Sequence, residues 1–144
     1  MSSVVVDASA LVEYLLRTPK GKALEAAITG ADLHVPALCD VEVAAALRRG
    51  LLEGTVDLER ARLVLQDLSE LPLTRHGHQL LLDRVLGLHQ NFSVYDATYA
   101  ALAESLGASL ITADGGLARA ARSILGLEVV EGLEGPLTEG PQGS

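Results

Sequence analysis

The hydrophobic period of this chain changes at its seventh residue. Ser3 to Val6 is a β-branched apolar run of the kind a strand buries, whereas Ala8, Leu11, Val12 and Leu15 fall on one face of a helix reaching Leu16. The same alternation returns further on. Pro19 opens a second helix through Ile28, Gly30 stops it, and Leu33 to Val35 is a short strand. Pro36 begins a third helix running to about Arg49, and Thr55 or Asp57 caps a fourth, with its stripe at Leu58, Ala61, Leu65 and Leu68, ahead of Leu71 to Leu73. A fifth helix is expected over Gln79 to His89. A sixth is expected over Ser93 to Leu106, where Asp96 shares a face with Tyr99, Ala100 and Ala103 while Thr98 and Ser105 lie off it. Ser109 to Thr112 is a strand leading through Ala113 to Asp114. Gly115 and Gly116 then permit a tight turn into a helix over Leu117 to Leu125, and Glu128 to Val130 is a last strand. Strands separated by helices predict an α/β fold, with a parallel sheet covered on both faces and ligands outside the carboxyl ends of its strands. Asp7 and Asp114 stand at two such ends.

With 144 residues the chain fits one domain, and 49% hydrophobic residues supply a core despite a net charge of −8, so wholesale disorder is excluded. Residues 1–130 read as that domain. Residues 131–144, rich in Gly, Pro and Glu and without periodicity, read as a flexible tail. Four aromatics (Tyr14, Phe92, Tyr95 and Tyr99) are too few for the base-stacking platforms of sheet or barrel RNA binders. Cys39 stands alone, so no internal disulfide forms, and the start lacks the basic region and long apolar stretch of a secretory signal; a cytoplasmic protein is expected. Charges interrupt every apolar segment, which argues against a membrane span. Acidity disfavours nucleic acid in general. Residues 1–130, however, carry eleven basic and sixteen acidic side chains, a balance of −5. One or two bound divalent cations would offset much of it.

Four acids, Asp7, Glu42, Asp96 and Asp114, fall in otherwise apolar surroundings. Asp7 and Asp114 are each good N-caps for the helix that follows, and Ser93 with Asp96 spells a capping box. Taken singly, these three need no further explanation. Glu42 is different. It is read as a mid-helix residue flanked at helical spacing by Leu38, Cys39, Ala45 and Ala46, with no cation three or four residues away. Taken together, three carboxylates at helix starts near one sheet edge and one on an inward helical face repel one another unless a divalent cation such as Mg²⁺ or Mn²⁺ neutralises them. Ser9 has no recognisable histidine partner for nucleophilic catalysis; its hydroxyl and that of Thr112 are expected beside the carboxylates. His76 and His78 read as solvated loop residues. Arg48, Arg49, Arg119 and Arg122 are candidate phosphate contacts, although arginines near helix ends also serve the helix dipole.

The segments VVVDASALVEYLL, PALCDVEVAAALRR and SVYDATYAALAESLGASLITAD, the last followed by GGLARAA, resemble in order and spacing those of PIN-domain ribonucleases, specifically VapC-type toxins of toxin–antitoxin pairs. The resemblance covers nearly the whole chain to Val130. It implies a three-layer α/β/α sandwich with a central, mainly parallel sheet. It also implies that Asp7, Glu42, Asp96 and Asp114 are both catalytic residues and metal ligands, with Ser9 and Thr112 beside them. The expected activity is hydrolysis of RNA phosphodiester bonds with Mg²⁺ or Mn²⁺, leaving 5′-phosphate and 3′-hydroxyl ends, in a homodimer held in check by a VapB-type antitoxin. Some relatives carry another acid just after the fourth, where this chain has Gly115, Gly116 and Leu117. Two alternatives stand beside this expectation. One is a PIN module that binds metal or RNA without cutting. The other is a Mg²⁺-dependent phosphatase or phospho-receiver, disfavoured because Asp7, Ala8, Ser9 lacks the second Asp of the haloacid-dehalogenase motif and no lysine follows Lys22.

Overall fold

The computed structural model describes residues 2–132. The tail expected over 131–144 therefore falls, from residue 133 onward, outside the described residues. The strands are β1 (Ser3–Val6), β2 (Asp32–Pro36), β3 (Leu73–His76), β4 (Ser109–Thr112) and β5 (Val129–Glu131). The helices are α1 (Ala8–Leu16), α2 (Pro19–Ile28), α3 (Cys39–Glu53), α4 (Leu58–Glu70), α5 (Leu82–Gly87), α6 (Val94–Leu106) and α7 (Gly115–Leu125), with a 3-10 turn at Gln79–Leu81 before α5. The sheet order is β3-β2-β1-β4-β5, and every pairing is parallel. Val5 lies between His34 and Leu110 in register, which makes β1 the central strand. Val5, Val6, Val35, Leu110 and Ile111 are fully buried, each contributing about 1.5–3 kcal/mol by leaving water. α1 packs on α2, α3 and α4, while α6 packs on α5, α7 and the strands β1, β2 and β4; these groups form the outer layers of an α/β/α sandwich.

The chain moves outward from β1 to β2 and β3, then returns to lay β4 on the other side of β1. That reversal makes the carboxyl ends of β1 and β4 a topological switch point, the place where open α/β sheets bind ligands. Asp7 and Thr112 to Asp114 emerge there.

Several local expectations are corrected. Pro36 does not begin α3. It is the last residue of β2, where a missing N–H costs nothing because Ala37 carries the bond to the His76 carbonyl at 2.7 Å. α3 starts at Cys39 and continues to Glu53, and Gly54 ends it in the left-handed region at φ 78°. The fifth helix is shorter than Gln79 to His89. Thr98 is not off the packed face, because α6 is buried nearly all round; its hydroxyl donates to the Val94 carbonyl at 2.8 Å. His76 is no loop residue. It ends β3 with Nε2 2.8 Å from Nδ1 of His34, whose Nε2 lies 2.9 Å from Asp32. Gly115 and Gly116 are the first residues of α7 rather than a turn, and neither has a positive φ.

Candidate functional site

Asp7 caps α1, accepting the Ala10 amide at 2.9 Å, yet capping is a fraction of its bonding. Ser9 Oγ donates to Oδ1 at 2.7 Å and Thr112 Oγ1 donates to Oδ2 at 2.5 Å. Each hydroxyl also accepts a main-chain amide just beyond β4: Ser9 from Ala113 at 3.1 Å, and Thr112 from Asp114 at 3.0 Å. The two side chains thus stitch the end of β1 to the end of β4 and leave Asp7 little rotational freedom. Asp7 is 5% exposed, and it is the only charged residue type fully buried among the described residues. Burial pushes its carboxyl up to about 6, against the lowering effect of the bonds from Thr112, Ala10 and Ser9; the negative charge of Asp96 adds to the rise.

Asp96 sits in the first turn of α6, half-buried. Ser93 caps that helix, accepting the Asp96 amide at 3.1 Å, but the return bond of a capping box, from the Ser93 amide to the Asp96 carboxylate, is not formed. The Asp96 carboxylate accepts no hydrogen bond among the described residues. Its pKa is raised, first by burial and then by the charges of Asp114 and Glu42. Asp114 caps α7 from an exposed position, accepting the amides of Gly116 at 2.8 Å and Leu117 at 3.2 Å. The glycine pair has a spatial reason: a Cβ on Gly116 would stand 3.3 Å from Asp114 Oδ1, and one on Gly115 would stand 3.2 Å from a guanidinium nitrogen of Arg119.

Glu42 departs from its expected setting. It lies in the first turn of α3, where the positive end of the helix dipole favours any acid, and it is half-buried beside an exposed Ala45. The helix dipole alone therefore accounts for part of its presence, which the mid-helix reading denied. Its connection to the other acids is nevertheless direct, since its charge is felt at Asp96.

Four chain segments thus bring acids into one electrostatic neighbourhood. Among the described residues no three His, Cys, Asp or Glu side chains stand in ready coordinating geometry. The donors fit a divalent cation in kind: hard carboxylate and hydroxyl oxygens suit Mg²⁺ or Mn²⁺, and one acid is buried with a raised pKa and no basic partner.

The arginines divide. Arg48, Arg49 and Arg119 are exposed. Arg122, expected to grip phosphate, instead binds Glu131 at 3.1 Å and the Val129 carbonyl at 3.1 Å, fastening β5 to α7. Two features escaped the sequence. Asp40 forms a two-pronged pair with Arg75 at 2.8 and 2.9 Å, tying α3 to β3. The Tyr99 hydroxyl is buried without a hydrogen-bond partner, with the Cys39 thiol and the Glu42 carboxylate as its polar neighbours. Burial drives the Cys39 thiol up to about 12, which removes it as a nucleophile near neutral pH. A hollow of about 320 Å³ lies elsewhere, lined by residues that include Tyr14, Arg17, Lys22 and Glu70.

A parallel α/β sandwich with acids near the β1/β4 switch point defines a fold class, and comparison with known proteins narrows it. Residues 4–123 match the PIN domain, and the chain belongs to that family. It is similar to Ribonuclease VapC12 of Mycobacterium tuberculosis, with 38% identity over 81% of this chain and 90% of the relative. Ribonuclease VapC3 of the same organism is 39% identical over 81% of this chain and 86% of its own length. Among solved structures, PAE2754 from Pyrobaculum aerophilum superposes with a TM-score of 0.67 at 26% identity, covering 90% of each chain.

Proposed function

We infer that this chain is a divalent-metal-dependent endoribonuclease and the toxin of a VapC-type toxin–antitoxin pair. Kinship with relatives named ribonucleases supports the activity class. The observation that carries the site is the half-buried Asp96 carboxylate, which accepts no hydrogen bond among the described residues and stands near the charges of Asp114 and Glu42 from two other segments. Such mutual repulsion has no structural benefit and is relieved by a cation.

Asp7, Glu42, Asp96 and Asp114 would hold Mg²⁺ or Mn²⁺. A bound ion would offset their charge and that building on a phosphodiester, and would acidify water. The remaining roles belong to the chain. Asp7 is clamped by Ser9, Thr112 and the Ala10 amide, so it fixes position. Asp114 is held by two helix amides. Asp96, with both oxygens free of hydrogen bonds and its pKa raised, is the best-placed acceptor for a proton from attacking water. No protein nucleophile is required. Arg48, Arg49 and Arg119 would meet the RNA backbone, while Arg122 is engaged by Glu131 and the Val129 carbonyl.

Val41 beside Glu42, and Val94 and Tyr95 beside Asp96, are exposed apolar side chains. They offer an antitoxin polypeptide or a second copy of the chain a surface next to the acids. No helix of the described residues is long and apolar enough to cross a membrane, and a cytoplasmic toxin agrees with that; the nuclease domain would run past residue 130, since Glu131 ends β5 and binds Arg122. One rival stands beside this reading, a PIN module that binds metal or RNA without cutting. Incubating total cellular RNA with Mg²⁺ or Mn²⁺, against EDTA, decides between them. Discrete metal-dependent products from wild type are expected, with none from Asp96→Asn; uncut RNA from a folded, metal-bound wild type would leave the binding module.

A further inference from the structure

We propose that Tyr99 is a positioning residue for Glu42: its buried phenol is the donor that the Glu42 carboxylate takes up when that carboxylate turns inward to a divalent cation. The inference rests on the metal-site reading above and deepens it. Tyr99 is 2% exposed, and its hydroxyl lies within hydrogen-bonding geometry of no partner among the described residues. A buried donor without a partner is costly, and native proteins keep few of them. The groups beside it are the Cys39 thiol and the Glu42 carboxylate. A thiol is a weak acceptor, whereas a carboxylate is a strong one. Tyr99 also lies three residues beyond Asp96 on α6, as Glu42 lies three beyond Cys39 on α3, so one side chain spans the two helices that carry these acids. A phenol donating to a ligating carboxylate orients it, as other partners of metal ligands do.

The test compares Tyr99→Phe with wild type in the full chain, following thermal unfolding across a Mn²⁺ titration together with kcat and KM for RNA. Removing an orphan hydroxyl leaves the metal-free melting temperature unchanged or raised. The half-point, defined as the Mn²⁺ concentration that produces half of the melting-temperature rise wild type shows at one fixed excess of Mn²⁺, increases about 10-fold or more, kcat falls at limiting Mn²⁺ and recovers at excess, and KM for RNA holds. Cys39→Ala, which removes the competing neighbour, keeps the wild-type half-point within about twofold. A wild-type half-point in Tyr99→Phe overturns the proposal alone, as does a shifted half-point in Cys39→Ala. Absence of any Mn²⁺ stabilisation in wild type overturns the metal reading, and the proposal with it.

Discussion

Asp7 and Asp57 perform the same local task in different surroundings. Each precedes a helix in extended backbone conformation and accepts the amide three residues on, Asp7 from Ala10 at 2.9 Å and Asp57 from Arg60 at 2.8 Å. Asp57 is solvated, and capping accounts for it completely. Asp7 is buried, held by two hydroxyls as well, and pushed up to about 6 by its burial. If capping were its only purpose, Ser or Asn would serve without burying a charge. The excess of bonding over need at Asp7 sets it apart from a carboxylate that only caps, where the sequence shows two aspartates before two helices.

Asp7→Asn presses this contrast hardest. RNA cleavage is expected to fall by about 10²- to 10³-fold or more, because charge at the reacting centre is lost. Stability moves the other way. A carboxyl whose folded pKa is raised to about 6 from 3.8 binds its proton more tightly folded than unfolded. Its contribution is complete below about pH 4 and is lost as pH rises through about 6, amounting to roughly 3 kcal/mol at most. Metal-free wild type therefore weakens across that window relative to Asp7→Asn, as denaturant titrations at pH 4, 6 and 8 would reveal; parallel curves would contradict the burial account. Adding Mn²⁺ at pH 8 restores wild type and not the variant.

Ser9→Ala comes next. Loss of the bonds to Asp7 and Ala113 is expected to weaken metal binding roughly 10- to 100-fold with the fold retained, measured by calorimetry. Asp57→Ala, the control, costs about 1 kcal/mol of stability and leaves kcat/KM unchanged. Smallest is Arg75→Ala, which breaks the exposed pair with Asp40 and shifts stability by less than about 1 kcal/mol. Should Asp57→Ala impair cleavage as severely as Asp7→Asn, the distinction between the two aspartates would collapse.

Much of this was legible in the chain. Buried central strands such as Ser3–Val6 and Ser109–Thr112 are short runs dense in β-branched or apolar residues, and the order of elements alone placed Asp7 and Asp114 at strand ends. β3 was missed because LTRH is an edge strand paired on one side, partly exposed and mostly polar. Pro36 misled because proline opens helices as readily as it closes strands, and only the Ala37 bond to His76 decides between them. Periodicity gave Glu42 its face and not its depth: a helix start three residues later than expected turned a mid-helix acid into a first-turn one. The orphaned phenol of Tyr99 was invisible for a related reason, since an unmet hydrogen bond is a property of what surrounds a residue.

Soaking crystals with Mn²⁺ and recording anomalous diffraction is the most direct test of the shared acidic site. The account predicts an anomalous peak among the carboxylates of Asp7, Glu42, Asp96 and Asp114, lost in Asp96→Asn. Full occupancy at another position, with these four acids bare, would contradict it.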